Sequence, residues 1–270
     1  DLIDSLEQVA PKGTELRAPF ESFLYQPGVP SLDVTASCAD ESVTLELTQQ
    51  RYLPIGSSGD RTQVWQVPVC MAFGDHDNAR SEHCLLLTEA RQSFDVSVDA
   101  CPRWVMPNAG GNGYYRWALQ TDGNANSLST AALADVFLTE LTAGERLTFV
   151  DTLTAGMAAG SVAPADFLDQ LPTFVQAPEA GTVSALADAY TRVLDYWVLP
   201  ADLAAAQAYG LAAFGPRLRG LENDTALTGP ERARLKRRLT TLMALVLRDP
   251  ATRAALVQQL YADLGYGDAT

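Results

Sequence analysis

The sequence predicts a multidomain chain, β first and α after. An immunoglobulin-like antiparallel β-sandwich is followed by an α-helical array of solenoid type, of the HEAT or armadillo kind. Three observations predict this. Apolar residues alternate with period two from Ser31 to Leu119. After residue 122 they recur three and four apart. The turn-forming cluster Thr121-Asp122-Gly123-Asn124 stands between the two regimes and marks the boundary of a sandwich over 26–121 and a helical domain over 122–270.

The first strands show the alternation best. Leu32, Val34, Ala36 and Cys38 face one way and Asp33, Thr35 and Ser37 the other. Val43, Leu45 and Leu47 then alternate with Thr44, Glu46 and Thr48, and the acidic turn Ala39 to Ser42 joins the two runs as a hairpin. Further strands are expected at Val64 to Phe73, His83 to Thr88, Ser93 to Asp99, Trp104 to Val105 and Tyr114 to Leu119. About seven short strands over ~90 residues describe an immunoglobulin-like sandwich.

In the helical half, Leu133, Val136, Phe137 and Leu141 give an amphipathic stripe, and Thr142 with Glu145 forms a capping box that starts the next helix. Pro164, Pro200, Pro230 and Pro250 each stand where a helix can begin, because proline at the first helical position gives up an amide that has no partner there anyway. About six helices with short connections follow, which favours stacked antiparallel pairs over a closed bundle. At the other end, Leu2, Ile3, Leu6 and Val9 mark a helix already under way at the first residues, as in an excised piece, and apolar residues persist at Leu264-Gly265-Tyr266-Gly267.

Composition limits function. Of 270 residues 47% are hydrophobic and 19% charged, the ordinary globular range, and the net charge of -14 repels phosphate backbones and anionic lipid. Nucleic acid and membrane surfaces are therefore poor partners, and no run approaches the roughly 20 apolar residues of a membrane helix. Cys38, Cys70, Cys84 and Cys101 all fall in the β half, with no Cys-x-x-Cys pair. They suit two disulfides in an extracytoplasmic protein, periplasmic or secreted, or else buried thiols in a cytosolic core. In an antiparallel hairpin centred near Asp77, Cys70 and Cys84 fall opposite one another, with β-carbons about 4.5 to 5.5 Å apart, within reach of a bridge. Cys38 then remains free or meets Cys101.

The sequence holds no catalytic constellation. His76 and His83 are seven apart, with no His-Glu-x-x-His, and Asp75-His76-Asp77 reads as a solvated turn rather than a cation site. There is no Gly-x-Ser-x-Gly elbow, and Gly110-Gly111-Asn112-Gly113 precedes a strand, so it reads as a loop needing positive φ rather than a phosphate cradle. The carboxylate pairs Asp40 with Glu41 and Asp75 with Asp77 sit in polar turns. One basic run stands out: Arg232, Arg234, Lys236, Arg237 and Arg238 on one helix. Arg234, Arg237 and Arg238 are its candidates for docking a peptide carboxylate, against the plainer reading of a solvated face paired with acidic neighbours. Trp65, Trp104, Trp117 and Trp197 read as core anchors.

Particular segments resemble a family. FESFLYQPGVP from Phe20 to Pro30, followed by SLDVTA and VTLELTQQRYLP, resembles the exit from the catalytic domain of the aminopeptidase N family of zinc metallopeptidases, where a Gln-x-Gly-x-Pro turn enters a β-sandwich. Trp65-Gln66-Val67-Pro68-Val69 and the stretch from Asn108 to Gly113-Tyr114-Tyr115-Arg116 continue the pattern, and Leu141-Thr142-Ala143-Gly144-Glu145-Arg146 with Asp151 and Ala155-Gly156 is similar to the opening of the family's helical domain. Phe23 departs from it, standing where the family has tryptophan, and the helical part is shorter than a complete family domain. The zinc helix, the downstream glutamate ligand, the Gly-x-Met-Glu-Asn motif and the catalytic tyrosine segment have no counterpart in the sequence, so no catalytic or metal residue carries over.

The resemblance implies the non-catalytic carboxy-terminal region of such a peptidase, with residues 1–25 the tail of its catalytic domain. It implies no cofactor in this chain, the zinc lying in the catalytic domain. It implies that domain and peptides as partners, with the fragment bracing the one and helping to enclose an access chamber for the other. The rival reading is a free-standing extracellular protein-binding module.

Overall fold

The computed structural model describes residues 2–10, 15–77, 79–121, 123 and 127–266, and two compact units divide the chain, Asp1–Val162 and Ala163–Thr270. The layout is β and then α, with two short helices in front. Of the tail expected over 1–25, residues 1 and 11–14 lie outside the described residues.

In the first unit, α1 (Leu2–Val9) and α2 (Arg17–Leu24) precede seven strands: β1 (Pro30–Ala39), β2 (Ser42–Arg51), β3 (Val67–Gly74), β4 (Arg80–Leu87), β5 (Arg91–Ser97), β6 (Trp104–Met106) and β7 (Arg116–Gln120). One sheet has the order β5-β2-β1-β7 and the other β4-β3-β6. The alternating residues decide which face is buried: Leu32, Val34, Ala36, Val43, Leu45 and Leu47 are fully inaccessible, while Asp33, Thr44 and Glu46 lie on the other face. Asp40 and Glu41 turn the first hairpin with φ of 48° and 62°, the left-handed pair that a two-residue loop between twisted strands needs.

The first sheet is not antiparallel throughout. β1 pairs antiparallel with β2 but parallel with β7, from Ser31↔Arg116 to Thr35↔Gln120. β7 does not return from β1 by a hairpin; it reaches β1 after the chain has built the second sheet, which frees its direction. The expected strand over Val64 to Phe73 begins three residues later, because Gln49 holds the Trp65 backbone from both sides, donating through Nε2 to its carbonyl and accepting its N–H at 2.9 Å each.

Two helices complete this unit, α3 (Thr130–Asp135) and α4 (Ala143–Ala159). Periodicity changes near residue 122, but compactness divides the chain at Val162, so α3 and α4 go with the sheets. Packing gives the reason: the Phe149 ring on α4 lies 5.6 Å from Trp117 of β7, Ile55 N–H donates to Ala158 O at 2.9 Å, and Tyr52 donates to Ala155 O at 3.1 Å. Asp122 and Asn124 of the expected boundary turn lie outside the described residues.

The second unit holds α5 (Pro164–Phe174), α6 (Ala180–Tyr196), α7 (Leu203–Gly220), α8 (Gly229–Thr241), a π-turn at Leu242–Val246 and α9 (Pro250–Asp263). With α3 and α4 this makes seven helices after β7 among the described residues, against about six expected from the spacing. Pro164 and Pro250 open α5 and α9 and Pro230 sits in the first turn of α8, but Pro200 lies in the turn ahead of α7, which starts at Leu203. Phe167, Leu171, Phe174, Leu186, Phe214, Leu235 and Leu239 form a core with no solvent exposure. Gly267 of the expected chain end lies outside the described residues.

Trp65, Trp104 and Trp117 are buried as anchors, but Trp197 is not. It stands 39% exposed as the C-cap of α6, its ring edge-on to the still more exposed Tyr196, because the helix stops there.

Candidate functional site

A cavity lies in the first unit, between the segment entering β7 and one face of α4. Gly144, Leu147, Thr148 and Asp151 project from α4 at helical spacing, and Gly111, Gly113, Tyr114, Tyr115 and Arg116 oppose them around roughly 290 Å³. Arg116 forms an ion pair with Asp151 across it. Tyr115 is spoken for: its hydroxyl donates to Pro107 O at 2.7 Å, and burial pushes its phenol well above the usual range. The lining contains no histidine, cysteine or lysine, so it offers neither a general-base pair nor a soft metal ligand set.

The loop beside this cavity is shaped by close backbone approach. Asn108, 1% exposed, closes it by accepting from Gly113 N–H at 2.8 Å and donating to Gly113 O at 3.0 Å. Gly111 has φ 72°, and a β-carbon on it would lie 2.5 Å from Gly144 O, while one on Gly144 would lie 2.1 Å from Gly110 O. The contact is backbone on backbone, so no side chain can yield. Gly144→Ala should therefore destabilise this unit by about 1–3 kcal/mol, readable as a lower denaturant midpoint with unchanged slope.

Glu145 is the electrostatic centre of the same region. Its side chain is wholly buried and accepts four hydrogen bonds: from Arg80 at 2.5 and 3.1 Å, from Gly110 N–H at 2.9 Å and from Thr142 N–H at 2.8 Å. Burial pushes the carboxyl pKa up, but Arg80 and the two backbone donors outweigh it, and the net direction is down. Arg80 in turn lies over the Trp104 ring, and Trp104 Nε1 donates to Glu140 at 2.6 Å while Arg103 pairs with the same carboxylate. Thr142 with Glu145 was legible as a capping box, and the structure forms one. The Arg80 partnership was not legible, since 65 residues separate the pair and no local spacing marks it.

Cys70 and Cys84 are joined by a disulfide at directly opposed positions of β3 and β4, and Cys38 is joined to Cys101. His76 lies exposed in the β3–β4 turn, where Asp75 accepts from Asp77 and Ala79 N–H at 2.8 Å each, and the His83 ring packs edge-on against Phe73 at 5.7 Å. Among the described residues no three His, Cys, Asp or Glu side chains converge as a metal site requires. On α8, Arg238 pairs with Asp188 of α6, Lys236 with Glu222 at 2.6 Å, and Arg232 donates to Asp224 O, so the basic run is largely tied to its own unit. Arg234 and Arg237 are exposed.

The glutamine of the Gln-x-Gly-x-Pro turn also has a visible task. Gln26 Nε2 donates to Ser22 O at 3.1 Å and Val64 O at 3.0 Å, and Gly28 takes φ 114°, so the turn ties α2 to the segment entering β3.

Comparison with known proteins gives a distant likeness. The chain is similar to part of an aminopeptidase. It is 24% identical over 194 residues to a puromycin-sensitive aminopeptidase of Caenorhabditis elegans, covering 72% of this chain. The chain spans about a fifth of that relative's length, 20%. The likeness supports a relationship to aminopeptidases at the family level. No protein-family model matches the sequence. No helix among the described residues is long and apolar enough to cross a membrane.

Proposed function

We propose that this chain is the non-catalytic carboxy-terminal part of a zinc aminopeptidase of the aminopeptidase N family. The observation that carries the reading is the 24% identity over 194 residues to an aminopeptidase. The two sheets ahead of the helices accord with it, as an immunoglobulin-like sandwich followed by a helical array of solenoid type. In this reading the sandwich braces the catalytic domain, and the helices help to enclose the chamber through which peptides reach the zinc. The whole protein then removes residues from peptide amino termini.

The residues present do not fit zinc. All four cysteines are consumed in disulfides, and the two histidines sit apart, one in an exposed turn and one against Phe73. The metal and the residues that hold it belong to the catalytic domain. Two disulfides favour a periplasmic or secreted protein, since such bonds persist in oxidising compartments.

The test has two parts. The purified chain should release no arylamine from amino-acid arylamides and retain no zinc after dialysis. The reading frame upstream of Asp1 should encode a His-Glu-x-x-His helix. One zinc per chain, or an upstream frame without that motif, overturns the reading.

A further inference from the structure

We propose that the Cys70–Cys84 bridge is a thiol–disulfide exchange site, opened by an external dithiol while Cys38–Cys101 and the folded strands stay intact. The two bridges differ in access, in leaving group and in what else holds their strands together.

Access favours Cys84. It lies on β4, at the edge of its sheet with one side unpaired, and it is exposed, while Cys70 is half-buried. Exchange needs a thiolate to reach one sulfur with the other departing behind it. At Cys84 the approach is from solvent. The dithiol's thiolate bonds to the Cys84 sulfur, the Cys70–Cys84 bond breaks, and Cys70 leaves as thiolate and takes a proton. The dithiol's second thiolate then attacks its own bonded sulfur and releases Cys84. Two electrons pass from the dithiol, which becomes a disulfide, to the protein pair, which becomes two thiols.

The other bridge lacks this route. Cys101 is exposed, but attack there must expel Cys38, which is 5% exposed on the apolar face with Val34 and Ala36. A thiolate expelled there is held away from water, which slows its departure.

The strands around the first bridge do not depend on it. β3 and β4 are paired through eight register positions, from Val67↔Leu87 to Gly74↔Arg80, and Arg80 at the start of β4 is fixed independently by Glu145. Cys38 lies on β1 and Cys101 in the loop between β5 and β6, with no strand ladder between them. Opening the first bridge therefore leaves two thiols on neighbouring strands of an intact sheet.

Oxidised full-length chain is incubated in rising dithiothreitol, quenched with iodoacetamide under native conditions and mapped. Cys70 and Cys84 should be alkylated at a dithiothreitol concentration at least about tenfold below that needed for Cys38 and Cys101. Circular dichroism and tryptophan emission should not change over that range, and a Cys70→Ser, Cys84→Ser double variant should fold with the same spectra. Alkylation of all four cysteines together, of Cys38 and Cys101 first, or of none until the chain unfolds overturns the proposal. So does failure of the double variant to fold.

Discussion

Glu145→Ala is expected to cost the first unit about 3 kcal/mol, because it removes the buried partner of Arg80 and leaves two backbone N–H groups without an acceptor. The value belongs at the low end for a broken buried pair. Arg80 is 27% exposed and retains Glu82 at 2.8 Å, so its charge is not stranded. For a unit of this size the melting temperature should fall by roughly 6–12 °C. Glu145→Gln keeps an acceptor but loses the charge, and should cost about 1–2 kcal/mol. Tryptophan fluorescence reads this transition, since Trp65, Trp104 and Trp117 are all buried in the affected unit.

The same residue gives an acid dependence. The folded pKa of Glu145 lies below its ordinary value, so the unfolded chain binds that proton more tightly. Its contribution is fully present above the ordinary carboxylate range and is lost as pH falls through the folded value. The stability difference between Glu145→Ala and the parent chain should therefore shrink below about pH 4. A cost under 1 kcal/mol at neutral pH, or a difference that grows with acid, shows that Glu145 is not the anchor described.

What the sequence disclosed and what it hid divide along the range of the interactions involved. The inward faces of β1 and β2 follow from period two, and the start of α4 follows from the Thr142 capping box, since both are set by residues a few positions apart. The parallel pairing of β1 with β7 was hidden, because a strand's direction depends on the path between its partners and not on its own alternation. The compact division at Val162 was hidden for a related reason: a period shift reports local structure, whereas α4 joins the sheets through Phe149 on Trp117. Trp197 misled because aromatic content alone does not show that a helix ends beneath it. The cavity beside Arg116 and Asp151 joins residues 35 apart, and nothing in their spacing announces the ion pair.

Phe214→Ala should have a comparable or larger effect in the second unit. The buried positions of α7 are Gly210, Ala213, Phe214 and Gly215, so Phe214 is the one large side chain this helix sinks fully into the core. Its ring lies 5.8 Å from that of Tyr190 on α6, and Tyr190 donates to Ala206 O of α7 at 2.5 Å. Gly210 adds little contact of its own; a β-carbon there would lie 2.6 Å from the Tyr190 ring, so its role is to let that ring close. Truncating Phe214 leaves a cavity that these neighbours cannot fill without moving α7. The expected cost is about 3–5 kcal/mol, or roughly 12–20 °C in the melting of this unit. Leu245→Ala is the control, since Leu245 is 68% exposed and should change stability by no more than about 0.5 kcal/mol. Ellipticity at 222 nm should report the loss for Phe214→Ala, while in a Trp197→Phe background the emission of the three buried tryptophans keeps the midpoint of the parent chain. If that midpoint falls together with the helical signal, the two units do not unfold separately; if neither moves, the α6–α7 contact does not depend on Phe214.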